Sequence, residues 1–327
     1  MDSGRILAFL VALAAAGASA FAAAADPAAD YPVRPVRLLV PNVPGSAVDT
    51  LNRIVATKLS EVIGQQVVID NRGGAAGVIA MEIAKHALPD GYTLIAATTA
   101  ASTVAVHLQK KPTFHPVNDY DYVAQFAETP NALVVNPSLP IHTVKDLIAY
   151  AKKHGEQCRM ASAGSGSQSH LSGAYFQQVA AIHCLHVPYK GGGPSVGAVI
   201  AGESHWTLTP APAVMSHVYA KRLRVIAHSL PKRTPLLPDV PAIAETLPGF
   251  DYSGWMGYFV PKGTPKPIVA KIREAVVKTM ETPEVKKGMA LQATEIVVRG
   301  PEEFRKVVRD SFEKNGKLVK ALGLTPS

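Results

Sequence analysis

The chain has 327 residues, 47% of them hydrophobic and 18% charged, with 33 Lys plus Arg against 25 Asp plus Glu for a net charge of +8. That length suits roughly two domains of about 150 residues each. The hydrophobic fraction excludes a disordered chain, and two Cys in so long a sequence exclude a disulfide-stapled small domain.

Arg5 precedes an apolar stretch from Ile6 to Ala16, and small residues follow through Ala25. This is the layout of a cleavable secretory leader over residues 1–25, with an apolar part too short for a membrane span, so a periplasmic location is expected. Export bears on Cys158 and Cys184, each of which stands just before an extended-looking run. If those runs are neighbouring parallel strands, the two sulfurs start them side by side, and a disulfide and two buried thiols are both left open.

From Val36 onward strand and helix patterns alternate. Val36 to Val40 reads as a strand, and Ser46 to Ile63 places Val48, Leu51, Ile54, Val55, Leu59 and Val62 at helical spacing, with Ser46 or Asp49 as its polar start. Val67 to Asp70 reads as a strand, Gly77 to Ala87 as a helix and Thr93 to Thr98 as a strand. A second alternating unit runs from the strand Ala132 to Val135 through the helix Thr143 to His154 to Ala201, and Arg224 to Ser229 reads as a further strand. Pro231 to Pro248 reads as a loop with one short helix near Ile243, before closing helices over Pro267 to Glu281 and Pro301 to Leu322. Such alternation predicts an α/β fold with mostly parallel sheets flanked by helices, which bind ligands in the loops leading into helices. Two lobes fit the order: lobe 1 over 31–125 and 230–327, lobe 2 over 126–229, with crossings near Val123 to Thr129 and Val225 to Ser229.

Three loops rich in Gly and Ser each join a strand to a helix: Pro41 to Ala47, Ala161 to His170, and Tyr189 to Ser195. Free N–H groups at helix starts, with short hydroxyls beside them, form anion sites. No Asp or Glu occurs between Glu156 and Glu203, a span that holds two of these loops. A cleft so lined favours a small carboxylate or phosphate.

Enzyme motifs fare worse. Gly164 to Ser169 nearly matches a dinucleotide fingerprint, but its third Gly is Ser and no acid follows for a ribose. Gly193-Pro194-Ser195-Val196-Gly197 matches a nucleophile elbow, which leaves an exported serine hydrolase as a minor alternative, yet Glu203 is the only acid between Ser195 and the last His, His228. The chain has no paired-Cys metal motif, and its basic residues are spread too evenly to suggest nucleic acid; neither cofactor nor metal is expected.

Several segments together resemble the Bug family, the periplasmic solute receptors of tripartite tricarboxylate transporters. They are Tyr31 to Pro41 with Pro44-Gly45 and Asp49, then Asp70-Asn71-Arg72, Pro89 to Leu94, Ala161 to Gly164, His170 to Gly173, His186 to Gly191, and Leu237 to Pro241. The resemblance implies a monomeric two-lobed periplasmic binding protein of type II-like fold that closes over a carboxylated solute and delivers it to a membrane permease. A binding protein that feeds a sensor is the alternative. Carried over, the first-lobe ligand positions are Val43, Gly45, Ser46, Ala47 and Asp49, with Asp49 capping the helix or holding the loop; Thr98, Thr99 and Ser102 line the cleft. The second-lobe positions are Ser162, Gly164, Ser165, Gly166, Ser167 and His170, joined by Tyr189 and Thr209. Where many members carry Asp-Asn this chain has Thr209-Pro210, which argues against an amino acid; with Trp255, Met256 and Tyr258 near the cleft, the expectation is a dicarboxylate or an aromatic carboxylate.

Overall fold

A computed structural model describes residues 28–324, and the expected leader at 1–25 lies outside them. The first sheet is built from β1 (Val36–Val40), β2 (Val67–Asn71), β3 (Thr93–Thr98), β4 (Tyr120–Thr129), β10 (Gly254–Pro261) and β11 (Glu295–Arg299), in the order β11-β4-β10-β3-β1-β2. The second holds β5 (Asn131–Val135), β6 (Arg159–Ser162), β7 (Leu185–Pro188), β8 (Trp206–Pro210) and β9 (Arg224–His228), ordered β7-β6-β8-β5-β9. β1 pairs parallel with β2 and β3, and β6 with β7 and β8. β10 runs antiparallel to β3 and β4, and β5 to β8 and β9. Each sheet is therefore mixed: the mostly parallel expectation holds for the strand–helix–strand units, and antiparallel pairing enters where the chain passes between the sheets.

Helix α1 (Ala47–Ile63) shows how sequence sets position. Leu51, Val55 and Leu59 recur every fourth residue and are fully buried in the first core, each worth roughly 1.5–3 kcal/mol of burial. Ser46 caps its start by accepting the N–H of Asp49, and Gly64 ends it in the left-handed conformation. Helix α2 (Val78–Lys85) covers the opposite face of the same sheet, with Ala80, Met81 and Ala84 packed against Leu39 and Ile95. In the second lobe α3 (Val144–His154) begins in a full capping box, Thr143 with Asp146. Helices α4 (Gln168–Ala180), α5 (Gly192–Ile200) and α6 (Met215–Tyr219) complete that lobe.

The chain crosses at Pro130, since Thr129 still pairs with Gly254 of the first sheet and Asn131 already pairs with Pro210 of the second. Residues 126–129, expected in lobe 2, thus belong to the first sheet. The return falls well after the expected 225–229. Ala242 bridges to His228, Leu237 and Val240 pack with Val196 and Val199, and Phe250 and Tyr252 pack with Phe176 and Trp206. The Pro-rich stretch lacks a continuous strand or helix period, yet its apolar residues cover the second lobe. First-sheet pairing resumes only at Gly254. The two crossings are tied together, with Asn131 Nδ2 donating to the Tyr252 carbonyl at 2.6 Å.

Helices α7 (Lys266–Glu281) and α8 (Pro283–Leu291) pack on the first core through Ile272, Val276 and Met289. The last helix, α9 (Pro301–Ala321), buries Phe304 and Val308 beside the first sheet. Its far end differs: Leu318, Val319 and Leu324 join the core of the second lobe. Cys158 and Cys184 are joined by a disulfide with their Cα atoms 4.7 Å apart, at the start of paired strands β6 and β7. Among the described residues, no helix is long and apolar enough to cross a membrane, and no group of His, Cys, Asp and Glu could hold a metal.

Candidate functional site

A cavity of about 600 Å³ opens between the two sheets, lined from both lobes. Its distinguishing feature is a repeated cap. Ser46 Oγ accepts the N–H of Asp49, Thr98 Oγ1 that of Ala101, and Ser167 Oγ that of His170, each at 3.2 Å. In each case the hydroxyl satisfies the third N–H of a helical segment: α1, the π-helical turn Thr99–Val104, and α4. The first two N–H groups of each, on Ala47 and Val48, Thr99 and Ala100, and Gln168 and Ser169, find no protein acceptor among the described residues. All six residues line the cavity. The start of α5 at Gly192 also faces it. The lining holds no Asp or Glu, and Lys190 is its single charged residue. Helix starts pointing their partial positive charge into a cavity without carboxylates favour an anion.

Of the positions singled out in the sequence, Val43, Ser46, Ala47, Thr98 and Thr99 line the cavity from the first lobe. Gly164, Ser165, Ser167 and Thr209 line it from the second. Gly45, Asp49, Ser102, Ser162, Gly166, His170 and Tyr189 do not, and most support the wall from behind. Asp49 Oδ2 accepts from Gly45 N at 2.8 Å and Arg53 Nε at 2.9 Å, while its Oδ1 accepts from Asn71 at 3.0 Å. Burial raises the Asp49 carboxyl, but these bonds outweigh it and hold the group below its usual range. It therefore stays a carboxylate and fixes the first loop. Ser102 is fully buried beside Met81. The Tyr189 hydroxyl turns away to Ser204 at 3.3 Å.

Behind the second-lobe loop lies a pair of stacked imidazoles, His170 and His186, with ring centroids 4.0 Å apart and 5° between planes. His170 Nδ1 accepts the Gly166 N–H at 3.0 Å, so its proton sits on Nε2. His186 Nε2 lies 2.7 Å from Ser162 Oγ, which in turn accepts the Gly164 N–H at 3.2 Å. Burial pushes both rings down, His186 to about 4 with the help of His170. Two neutral rings thus shape the loop whose N–H groups face the cavity.

The two lobes touch at the cavity rim. A Cβ built on Gly191 would lie 2.7 Å from Val43 Cγ2 across the cleft, so a side chain there would prevent this approach. The turn Gly73 to Gly77, which sequence reading missed, lines the cavity and is a fourth Gly-rich link from strand to helix, the same signal as the other three. Gln168 and Ser169, inside the second of those loops but not among the expected ligand positions, also line it. Ser195 is no nucleophile: it is fully buried and donates to the Gly192 carbonyl at 2.8 Å within its own helix.

The comparisons agree with this geometry. Protein BugT of Bordetella pertussis is 31% identical over 326 residues, 99% of each chain. Among solved structures, the periplasmic binding protein BugD superposes with a TM-score of 0.86 at 28% identity, covering 91% of this chain and 100% of its own. The R. palustris protein Rpa4515 with adipate gives 0.88 at 31% identity over 91% and 100%. MatC (Rpa3494) of Rhodopseudomonas palustris with bound malate gives 0.83 at 29% identity over 88% and 100%. A family model for the tripartite tricarboxylate transporter family receptor matches residues 51–324, and the chain belongs to that family, with the two-lobed fold of its periplasmic members.

Proposed function

We propose that this protein is a periplasmic receptor that closes its two lobes over a small carboxylate and hands it to the permease of a tripartite tricarboxylate transporter. One observation carries the reading: helix starts from both lobes, each with its third N–H already capped, leave paired N–H groups facing one cavity that no carboxylate lines. An anion bound there bridges the lobes, and its binding energy favours the closed arrangement. The neighbours holding adipate and malate support the ligand class. With Thr209-Pro210 at the end of β8 the cavity has no acid to meet an ammonium, which favours a dicarboxylate or an aromatic carboxylate over an amino acid. The leader-like residues 1–25 and the disulfide suit an oxidising compartment.

The test is a thermal-shift screen of the purified protein against citrate, aliphatic dicarboxylates, benzoate and phthalate isomers, amino acids and phosphate. A ligand present at 100 times its dissociation constant adds about 2.7 kcal/mol of stability. A rise with one carboxylate class and none with amino acids is expected. A response confined to phosphate or to amino acids would overturn the reading.

A further inference from the structure

Leu108 ends the short helical turn Ala105–Leu108, between β3 and β4 of the first sheet, yet its half-buried side chain packs with the core of the second lobe. It also meets the second-lobe loop that leads into α4. A Cβ built on Gly166 would run into Leu108 Cδ1, and the Cβ of Ala76, another first-lobe residue, would lie 3.6 Å from it. Gly166 has φ 76°, so backbone and space both call for glycine at this seat. The residues on either side of it, Ser165 and Ser167, line the cavity, and the N–H groups of Gln168 and Ser169 follow at the helix start. The loop's own lobe holds it by hydrogen bonds: Ser169 Oγ accepts the Ala163 N–H at 2.9 Å, Ser162 Oγ that of Gly164 at 3.2 Å, and His170 Nδ1 that of Gly166 at 3.0 Å. Leu108 is a contact the loop receives from the other lobe.

The arrangement occurs twice. Gly191, with φ 112°, caps the start of α5 and meets first-lobe Val43, and a Cβ on the next residue, Gly192, would stand 3.9 Å from Ser46 Cα. Glycine content alone does not produce such contacts. Gly164 also has a positive φ, 117°, but faces the Tyr189 carbonyl of its own lobe, and Gly45 meets nothing within 4 Å. At the loops before α4 and α5, therefore, an aliphatic side chain of the first lobe is seated on a second-lobe glycine. A loop that holds an anion through backbone N–H groups gains affinity when it is fixed beforehand. Parting the lobes withdraws Leu108 from Gly166 and exposes its apolar surface to water, so the seat favours closure and steadies the loop together.

We infer that Leu108 is a positioning residue for solute binding: on closure its side chain seats on Gly166 and fixes the loop whose N–H groups hold the carboxylate, so that release requires unseating it. This rests on the receptor reading and goes further, since it makes one lobe's grip on the anion depend on a side chain of the other. The experiment compares the full mature protein with Leu108→Ala and Leu108→Met. The probe is the carboxylate that gives the largest thermal shift in the panel above. Stopped-flow tryptophan fluorescence, with Trp255 on the cavity wall, reads association and dissociation rates, and thermal unfolding reads stability without solute. Leu108→Ala is expected to raise the dissociation rate about tenfold, the effect of losing part of one leucine's burial, with the association rate little changed. Its melting temperature without solute should stay close to that of the wild type, because the seat is empty when the lobes are apart. Leu108→Met, of similar volume, should keep the wild-type rates. An unchanged dissociation rate in Leu108→Ala, a loss carried by association alone, or an equal loss in Leu108→Met overturns the inference. So does a Leu108→Ala protein that unfolds or melts far lower without solute, which would make the contact part of the fold. Failure of every carboxylate in the panel to shift the wild type would instead defeat the receptor reading beneath it.

Discussion

Replacing Ala47 by Pro removes one hydrogen-bond donor from the cavity and little else. Ala47 is the first residue of α1, the position where Pro is best tolerated because its N–H has no intrahelical acceptor. The preceding Ser46 has φ −73° and ψ 164°, the extended conformation that a following Pro requires. The helix, its serine cap and its buried Leu51, Val55 and Leu59 should therefore survive, and the melting temperature of the ligand-free protein should stay close to that of the wild type. A hydrogen bond to a charged partner is worth about 1.5–3 kcal/mol, which at 1.4 kcal/mol per decade is roughly a ten- to hundredfold loss of carboxylate affinity. Calorimetric titration with the strongest ligand of the screen, beside thermal unfolding without ligand, reads both quantities. Unchanged affinity in a stably folded Ala47→Pro protein would show that this helix start does not hold the anion. Lost affinity accompanied by a collapse of the melting temperature would refute the claim that the donor can be removed cleanly.

Gly191 has φ 112° and ψ 174°, a region closed to other residues, so Gly191→Ala should cost about 1–3 kcal/mol of stability and also weaken binding through its clash with Val43. Adding Val43→Ala should restore affinity but not stability in calorimetry and urea unfolding, and restoration of neither would dissociate the rim contact from closure. His186 titrates near 4 in the folded chain and near its ordinary 6.5 when unfolded. The unfolded state binds the extra proton between those limits, so stability from this ring is whole above about pH 6.5 and drains away as the pH falls toward 4. Urea midpoints of wild type and His186→Gln should accordingly converge on acidification, and parallel curves would contradict the buried neutral ring. Reducing the Cys158–Cys184 bond, which spans 26 residues, should lower stability by about 3.5 kcal/mol on the loop-closure argument, read as a fall in melting temperature with dithiothreitol.

Elements with a clean local period were legible in the sequence: β1 and β3 fall where their apolar runs end, and α1 differs from its expectation only in that Ser46 is the cap and not the first turn. β4, β10 and β11 were not. β4 is buried along most of its ten residues although Asp121, Gln125 and Glu128 interrupt any alternation. β10 earns its place by pairing with partners far away in sequence, and its Gly254 and Gly257 weaken the local strand signal. The same long-range pairing displaced the second crossing. At the site, Ser and Gly at helix starts marked the right loops, because capping is local chemistry. Which atoms face inward depends on contacts made behind the loops, and that is why Asp49, Ser162 and His170 turned out to brace the wall instead of lining the cavity.

The far end of α9 has a mechanical meaning. The lobes are joined by two covalent crossings, at Pro130 and just before Gly254, and by a third, non-covalent attachment where Val319 and its neighbours are seated in the other lobe's core. Any parting of the lobes that moves this end of α9 would draw Val319 out of its seat, at a cost of roughly 1.5–3 kcal/mol for one apolar side chain. That attachment therefore acts as a latch on lobe separation, in addition to the chain's own crossings.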